Sequence, residues 1–518
     1  MTAISRPPWI VSIAFNWHDS SVAIAEGSNV RLVLEAERVF RVKRLRCSNV
    51  QMQELIGIAL RTVGIEMRDV SIWCGTGFGN DLLSVPVRPT EAAVWTNVVI
   101  NGSWVRMRLV NHHRAHAAMY FASPFCDAVV ISCDGGGDAE THVIFRARNL
   151  TLDRLEKTEA VKSFSSTLYD RASFHLYGRY RQEGKFMGLA GWGQVLDGLK
   201  RDMAENVSAI CNLSEEDGIA LLERLYPIKQ ASKGCMELSD FAATVQAIFE
   251  DERVRSARDF ASHSKNLVLT GGAALNIVAN TKILEQSGYQ SLYVAPCCDD
   301  TGQALGALLD TIALELNVRP NVNFPFLGRG IDVIPCDESE ISCVVDKLID
   351  GNVIAWHAGR SEIGPRALGH RSLLASPETA AMKVFVSEEL KGRESYRPVA
   401  PLILQEYVQE WFDMVSGSPF MSFSGNSTAK CRAAAPAVVH VDGSARIQTL
   451  GSDGDPLLRR LLLQFYERTG VPILINTSLN GPELPICDQR PDTIEWLSTV
   501  DANVRCRVCL VADGQVCR

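Results

Sequence analysis

The sequence predicts an α/β protein in two domains, and three observations carry that expectation. A strand, a polar turn and a second strand occur twice, first over Trp9–Ala25 and again over 128–146. Apolar runs rich in Val and Ile alternate with stretches of helical periodicity along most of the chain. At 518 residues the chain exceeds what one hydrophobic core organises. The stretch from Asn317 to Asp332, with two prolines and several Asn and Gly residues, is the best linker between residues 1–330 and 331–518.

Composition narrows the function classes. The chain is 46% hydrophobic and 22% charged, the balance of a globular protein in water. A net charge of −8 argues against general nucleic-acid binding, which needs a basic footprint. No window holds 18 uninterrupted apolar residues, and the N-terminal MTAISRPPWIVSIAFNWHDSS lacks the apolar core of a signal peptide. No membrane segment is expected, and the N-terminus reads as a first strand. Fifteen cysteines without framework spacing suggest reduced thiols and a cytoplasmic location. Cys506 and Cys509 form the one CxxC and lack the second pair a structural zinc site needs.

Taken in order, Trp9–Phe15 and Val22–Ala25 are strands joined by Asn16-Trp17-His18-Asp19-Ser20-Ser21, a hairpin with a functional tip. Val50–Val63 has helical periodicity and Val70–Cys74 reads as a strand. The stretch Asn111–Asp138 carries the densest chemistry. His112 and His116 are four apart and share one helix face, with Asn111 as N-cap. The strand Ala128–Cys133 then delivers Asp134 into the turn Gly135-Gly136-Gly137, whose backbone N–H groups can approach an anion. A metal beside a phosphate cradle is the expectation. Two such hairpins around a cleft are the actin-like (ASKHA) plan of a duplicated domain, with both tips facing a nucleotide's phosphates.

Asn149–Ser163 reads as a hairpin or short helix, and Ser165–Tyr180 as a helix. Glu183–Gly193, with Lys185 and Gly188 among its glycines, reads as a loop that exposes backbone to a ligand. Residues 195–264 are mostly helical and charged. Leu267–Thr270 is a strand, Gly271-Gly272 a turn and Asn276 a helix start, where an adenosine or phosphate can meet the helix N-terminus. Leu292–Ala295 is a strand leading to Asp299-Asp300 and the helix Gln303–Leu316. Asp300 can return to the metal of His112 and His116, a set that suits Fe(II), Mn(II) or Zn(II).

Past the linker, Val353–His357 is a strand, and arginines crowd into Gly- and Pro-stiffened loops. They include Arg366 and Arg371, then Lys391, Arg393 and Arg397, then Arg446, with Ser478 and Asn480 following. On an acidic chain this clustering reads as a phosphate pocket, since Arg binds phosphate bidentately and Lys acts as a point charge.

These segments resemble the NodU/CmcH-type carbamoyltransferase family, which includes the tobramycin O-carbamoyltransferases. NHHRAHAA, SPF, DGGGD, GKFMGLAG, LTGGAALN, DDTG, GPRALGHRSLL, KGRESYRPVAP, HVDGSARIQT and NTSLN follow in the family's order. The resemblance spans essentially the whole chain. It implies an N-terminal domain similar to the metal-dependent, actin-like subunit of the tRNA threonylcarbamoyladenosine system, and a C-terminal domain similar to YrdC-type adenylating domains. It further implies that carbamoyl phosphate and ATP give carbamoyl-AMP in the C-terminal domain. The carbamoyl group would then pass to a hydroxyl of a small natural product at the N-terminal site, as in antibiotic biosynthesis.

By the same resemblance the metal ligands are His112, His116, Asp134 and Asp300, with Fe(II) favoured and Mn or Zn open, and Mg accompanies ATP. His18, Asp19, Lys391 and Arg397 are the catalytic residues. The nucleotide is held by Gly135, Gly136, Gly137, Lys185, Gly188, Gly271, Gly272, Asn276, Arg366, Arg371, Arg393, Arg446, Ser478 and Asn480. Two segments depart from the family pattern. Ala36-Glu37-Arg38 with Lys43-Arg44 lacks a Glu and a His, and Ala190-Gly191-Trp192-Gly193 replaces Ala-Pro-Tyr-Gly. Both lie toward the acceptor, so an amine acceptor of nucleoside or tRNA type and a non-catalytic ATP-binding scaffold stay as alternatives. The sequence does not specify an oligomeric state.

Overall fold

The computed structural model describes residues 6–77, 87–88, 91–137, 140–155, 164–227, 237–331, 337–414 and 416–517. Asp138, Asp332 and residues 156–163 of the expectations above lie outside the described residues.

The protein is a mixed α/β structure of three sheets. The first contains β1 (Trp9–Phe15), β2 (Ser21–Glu26), β3 (Asn29–Glu35), β4 (Val70–Gly77), β5 (Ala93–Ile100) and β6 (Ser103–Val110), in the order β3-β2-β1-β4-β6-β5. The second contains β7 (Asp127–Gly137), β8 (Glu140–Arg148), β9 (Thr151–Arg154), β10 (Asn266–Thr270) and β11 (Ser291–Val294), in the order β11-β10-β7-β8-β9.

The two sheets repeat one plan. In the first, β1 and β2 and then β2 and β3 are antiparallel, while β4 runs parallel to β1 and β6 parallel to β4. In the second, β7, β8 and β9 form the antiparallel meander, and β10 and β11 continue in parallel from β7. Only β5, an antiparallel edge strand paired to β6, breaks the correspondence. The echo of the two hairpins is thus an echo of whole sheets. Central strands such as β1 and β10 are buried along nearly their whole length, which is why they read as unbroken apolar runs.

The third sheet holds β12 (Val353–His357), β13 (Arg371–Ala375), β14 (Ala400–Leu404), β15 (Phe412–Asp413), β16 (Phe423–Ser427), β17 (Ser444–Leu450), β18 (Ile473–Ser478), β19 (Val508–Ala512) and β20 (Gln515–Val516). Their order is β15-β16-β17-β14-β18-β13-β12-β19-β20. Its core is not separate. One buried cluster runs from Val129, Leu267 and Val294 of the second sheet into Trp356, Leu374, Leu402 and Leu461. A second cluster fills the space between the first two sheets, where Leu305, Leu308, Leu309 and Ile312 of the helix Gln303–Glu315 pack on Ile10, Ala23, Val130 and Val268.

Two expectations change. Glu183–Ala190 is a helix, not an exposed loop, and its Gly188 serves packing. The carbonyl of Gly188 accepts from His440 Nε2 at 3.0 Å, and its Cα side faces Tyr396 and Pro398. The supposed linker is docked along β3 over its described length. Asn321 accepts from Val30 N–H at 3.0 Å, and Leu327 from Val33 N–H at 2.9 Å. Its Pro and Asn residues shape a chain that covers an otherwise open sheet edge. No helix among the described residues is long and apolar enough to cross a membrane, and the described cysteines are unpaired.

Candidate active site

The His112–Ala117 helix starts as its sequence demands: the Asn111 side chain accepts from Arg114 N–H at 3.1 Å. His112 and His116 then face one point, to which β7 brings Asp134 and the turn after β11 brings Asp300. Their four ligand atoms lie within 4.8 Å of one another. His116 Nε2 is 2.8 Å from Asp134 Oδ2 and 3.2 Å from Asp300 Oδ1, and His112 Nε2 is 3.6 Å from each carboxylate. Metal bonds of about 2.0–2.2 Å put neighbouring ligands roughly 3–3.5 Å apart, so the donor set fits one ion. His113 is not part of it. Its Nδ1 meets Ser132 Oγ at 2.8 Å and its Nε2 the Glu140 carbonyl at 3.0 Å.

The electrostatics follow from burial and proximity. Burial, the largest influence on His116, opposes its charge. The hydrogen bonds and charges of Asp134 and Asp300 outweigh it and hold the imidazole up to about 9. Burial likewise pushes Asp134 up, but hydrogen bonds from His112 and His116 draw it well below the usual carboxylate range. A cation would replace the proton in holding these carboxylates together.

Three residues outside the motifs make the centre possible. Gly306 lets the helix Gln303–Glu315 approach so closely that a Cβ there would overlap the carbonyl oxygen of Ala115. Arg114 Nε donates to Asp310 Oδ1 at 2.9 Å, and Arg108 donates to Asp310 Oδ2 at 2.8 Å. These contacts lock the histidine helix to the helix that begins just after Asp300. Their signals in the sequence were a glycine and an aspartate inside an otherwise apolar helix.

The first hairpin tip joins the same centre. His18 Nε2 is 3.6 Å from Asp300 Oδ2, and its Nδ1 is 2.6 Å from Asp19 Oδ2. Burial disfavours the charged ring, but the Asp19 hydrogen bond and the Asp300 charge outweigh it and raise its pKa. The His18 side chain is 34% exposed, so it lies at the mouth of the site. On the opposite side Gly135 faces open space, and Asp134 Oδ1 accepts its N–H at 2.6 Å. Gly136 and Gly137 continue β7. The Gly271-Gly272 turn lies over the end of β7. Gly271, at φ 84°, has no room for a side chain above Cys133, and Gly272 sits next to Asp134. Asn276 is the N-cap of the helix Ile277–Gln286, and its amide pairs with Gln246.

The structure gathers most of the predicted cations and separates Arg371. Arg366, Arg393, Arg397 and Arg446 face one another closely enough that their charges oppose. Burial first, and then those three neighbours, hold Arg446 well below its ordinary value. Arg393 falls to about 9 through burial and then Arg397. Arg446 Nε is shielded from solvent and meets no hydrogen-bond acceptor among the described residues. Lys391 borders this cluster, donating to Asn480 Oδ1 at 2.6 Å, to Ser478 Oγ at 3.2 Å and to the Ser478 carbonyl. Arg393 donates to Thr477 Oγ1 at 3.1 Å and reaches Ser478 Oγ at 3.4 Å. Arg371 stands apart, fully buried, with its guanidinium spent on the carbonyls of Ala358, Gly359, His370 and Asp488. Lys185 borders the cluster through a shared carboxylate: it pairs with Glu394 at 2.7 Å, and Glu394 lies 3.5 Å from Arg397.

Comparisons with known proteins match both halves of the chain to one family. The family model described as carbamoyltransferase N-terminus matches residues 92–309, and the one described as carbamoyltransferase C-terminus matches residues 345–508. The nodulation protein NolNO of Sinorhizobium fredii is 30% identical, over 93% of this chain and 77% of that protein. The nodulation protein NolO of Bradyrhizobium diazoefficiens is 31% identical, over 76% of each. Among solved structures, full-length HypF in its phosphate- and nucleotide-bound form aligns with a TM-score of 0.33 at 14% identity, covering 60% of this chain and 47% of that one. The ROK hexokinase from Thermus thermophilus aligns with a TM-score of 0.30 at 12% identity, covering 58% of this chain and 97% of that one. A transferase class is thus defined by its two matched halves. The chain belongs to the carbamoyltransferase family.

Proposed function

We propose that the protein is an ATP- and carbamoyl-phosphate-dependent O-carbamoyltransferase acting on a hydroxyl of a small natural product. The observation that carries this reading is four guanidiniums, Arg366, Arg393, Arg397 and Arg446, set against one another, with Asp299 beside Arg366 and Glu394 shared between Arg397 and Lys185. Such a pocket is made for polyanions, because two phosphate-bearing substrates repel each other and need several fixed cations between them.

In this reading residues 331–518 form the YrdC-like adenylating domain and residues 1–330 the duplicated, actin-like transfer domain. Water releases phosphate from carbamoyl phosphate. A carbamate oxygen then attacks the α-phosphorus of ATP, expelling pyrophosphate and leaving carbamoyl-AMP. Lys391 and Arg397 hold the phosphoryl oxygens as charge develops on them. Arg366, Arg393 and Arg446 hold the nucleotide, with Ser478 and Asn480 orienting Lys391.

Transfer takes place at the other end. His112, His116, Asp134 and Asp300 would hold a divalent ion, Fe(II), Mn(II) or Zn(II), which supplies Lewis-acid stabilisation of charge on the leaving phosphate. The acceptor oxygen attacks the carbamoyl carbon, the bond to the AMP oxygen breaks, and the hydroxyl proton passes to His18. Asp19, at 2.6 Å from the far ring nitrogen, fixes that ring with Nε2 toward the site. Gly135, Gly136 and Gly137 line the path of the phosphate with backbone N–H groups.

The deciding experiment needs no acceptor. Metal-loaded protein with ATP should release pyrophosphate only when carbamoyl phosphate is present. Folded protein that releases none would end this reading.

A further inference from the structure

The loop of residues 359–371, which carries Arg366, is shaped from two sides. From within, Glu362 Oε1 accepts from the backbone N–H groups of Leu368 at 2.7 Å, Arg371 at 3.2 Å and His370 at 3.3 Å. From outside, it is gripped by two buried side chains from the far end of the sequence. Arg38 donates to the carbonyl of Glu362 and, at 2.6 Å, to that of Gly364. Glu35, the last residue of β3, accepts from Gly364 N–H at 2.5 Å and lies 2.7 Å from Arg38 Nε.

Gly364 itself has no space to spare. Its φ is 89°, and a Cβ would overlap the carbonyl oxygen of Pro296, in the turn that leads to Asp300. One peptide is therefore pressed between the Glu35–Arg38 pair and the turn bearing a metal-ligand candidate. Arg366 follows two residues later. Its guanidinium lies beside Cys298 and Asp299 and donates to the Leu275 carbonyl at 3.4 Å.

A buried ion pair is a poor device for stability alone, since apolar side chains of similar volume often hold a fold as well. What this pair adds is direction. A forked donor takes two carbonyls, and a carboxylate takes the N–H between them. We propose that Glu35 and Arg38 are positioning residues for Arg366, fixing the arginine loop at one height above the Asp299–Asp300 turn. The spacing between the arginine pocket and the His/Asp centre is then set from the end of β3 in the first sheet. This inference rests on the adenylating role proposed for the pocket.

A double-mutant cycle on pyrophosphate release tests it, using the full chain and reading kcat and KM for ATP separately. Arg38→Lys keeps the charge beside Glu35 but cannot span both carbonyls. It should lower kcat about 10–100-fold, the cost of a displaced catalytic group. Combined with Arg366→Ala it should add less than about twofold, because its effect passes through Arg366. Losses that multiply would overturn the proposal, as they would show a role independent of Arg366. Hydrogen exchange gives a second reading that requires no reaction. Arg38→Lys should speed exchange at residues 363–368 while leaving β7 and β10 unchanged, and unaltered exchange at 363–368 would also overturn the proposal. If the wild-type protein released no pyrophosphate, the adenylating role would fall while exchange still decided the positioning claim. Should Arg38→Lys not fold, Glu35→Gln takes its place in both measurements, since its amide oxygen keeps an acceptor for Gly364 while the oxygen facing Arg38 Nε is lost.

Discussion

His116 Nε2 lies 2.8 Å from Asp134 Oδ2 and 3.2 Å from Asp300 Oδ1, so a single ring nitrogen bridges two carboxylates, one on β7 and one in the turn after β11. His116 belongs to the His/Asp centre, whereas pyrophosphate release is the step proposed for the arginine pocket. His116→Ala should therefore remove stoichiometric divalent metal, measured by elemental analysis after gel filtration, and abolish transfer to any acceptor. Carbamoyl-phosphate-dependent pyrophosphate release should stay within about threefold of wild type, because interactions at separate sites act independently. Equal loss of both steps would remove the division of labour between the two ends.

The contact of Gly306 with Ala115 makes a sharper demand on the same centre. A methyl group at position 306 meets the Ala115 carbonyl oxygen, and the two helices must part. Gly306→Ala should destabilise the protein by about 1–3 kcal/mol, the range for overpacking a filled interior. Metal affinity should fall at least about tenfold, as when groups supporting metal ligands are disturbed. Calorimetric metal titration beside urea unfolding checks both. Unchanged affinity in a destabilised protein would show that the centre tolerates helix movement.

Much of this was legible in the chain. The two hairpins, His112 and His116 on one helix face, and the strand ending in Asp134 all follow from period and spacing, which are local properties. Resemblance to a known family then supplied Asp300, which spacing alone offered only as a candidate. What sequence could not show was where cations go once the chain folds. Arg371 and Arg366 occur five residues apart in one motif, yet Arg371 satisfies backbone carbonyls in the interior while Arg366 faces the pocket. Lys185 lies in a helix and shares Glu394 with Arg397, a neighbour that its own stretch of sequence does not reveal. Gly306, Asp310 and the Glu35–Arg38 pair were invisible for the same reason: each acts through a partner about 190 or more residues away in the chain.

A pH dependence of stability is built in at His357, the last residue of β12, opposite Arg371. Burial, and then the charge of Arg371, pushes this imidazole down to about 3, and neither ring nitrogen has a hydrogen-bond partner among the described residues. In the unfolded chain the ring titrates near 6.5. Between about pH 3 and 6.5 the unfolded chain binds the extra proton, so stability rises with pH by up to about 1.4 kcal/mol per unit. The contribution is fully present above pH 6.5 and is lost as pH falls toward 3. From pH 7 to pH 5 the wild-type protein should lose up to about 2 kcal/mol more than His357→Asn, read from urea unfolding at the two pH values. Parallel losses would show that another group carries the acid sensitivity.

The arginine pocket makes a prediction whose two parts have opposite signs. Arg446 is held against Arg366, Arg393 and Arg397, and its Nε has no acceptor among the described residues. Removing one of several like charges relieves repulsion in the ligand-free protein. Arg446→Met should therefore raise the melting temperature of the protein measured without nucleotide. The same change should weaken pyrophosphate binding at least about tenfold, because a charged hydrogen bond to phosphate is worth about 1.5–3 kcal/mol. Pyrophosphate raises the melting temperature in proportion to the logarithm of its concentration over Kd. A thermal-shift series in pyrophosphate should thus show the variant starting higher and gaining less. A variant that starts lower would mean that Arg446 is a structural cation, and the case for a polyanion pocket would then have to rest on Arg393 and Arg366 alone.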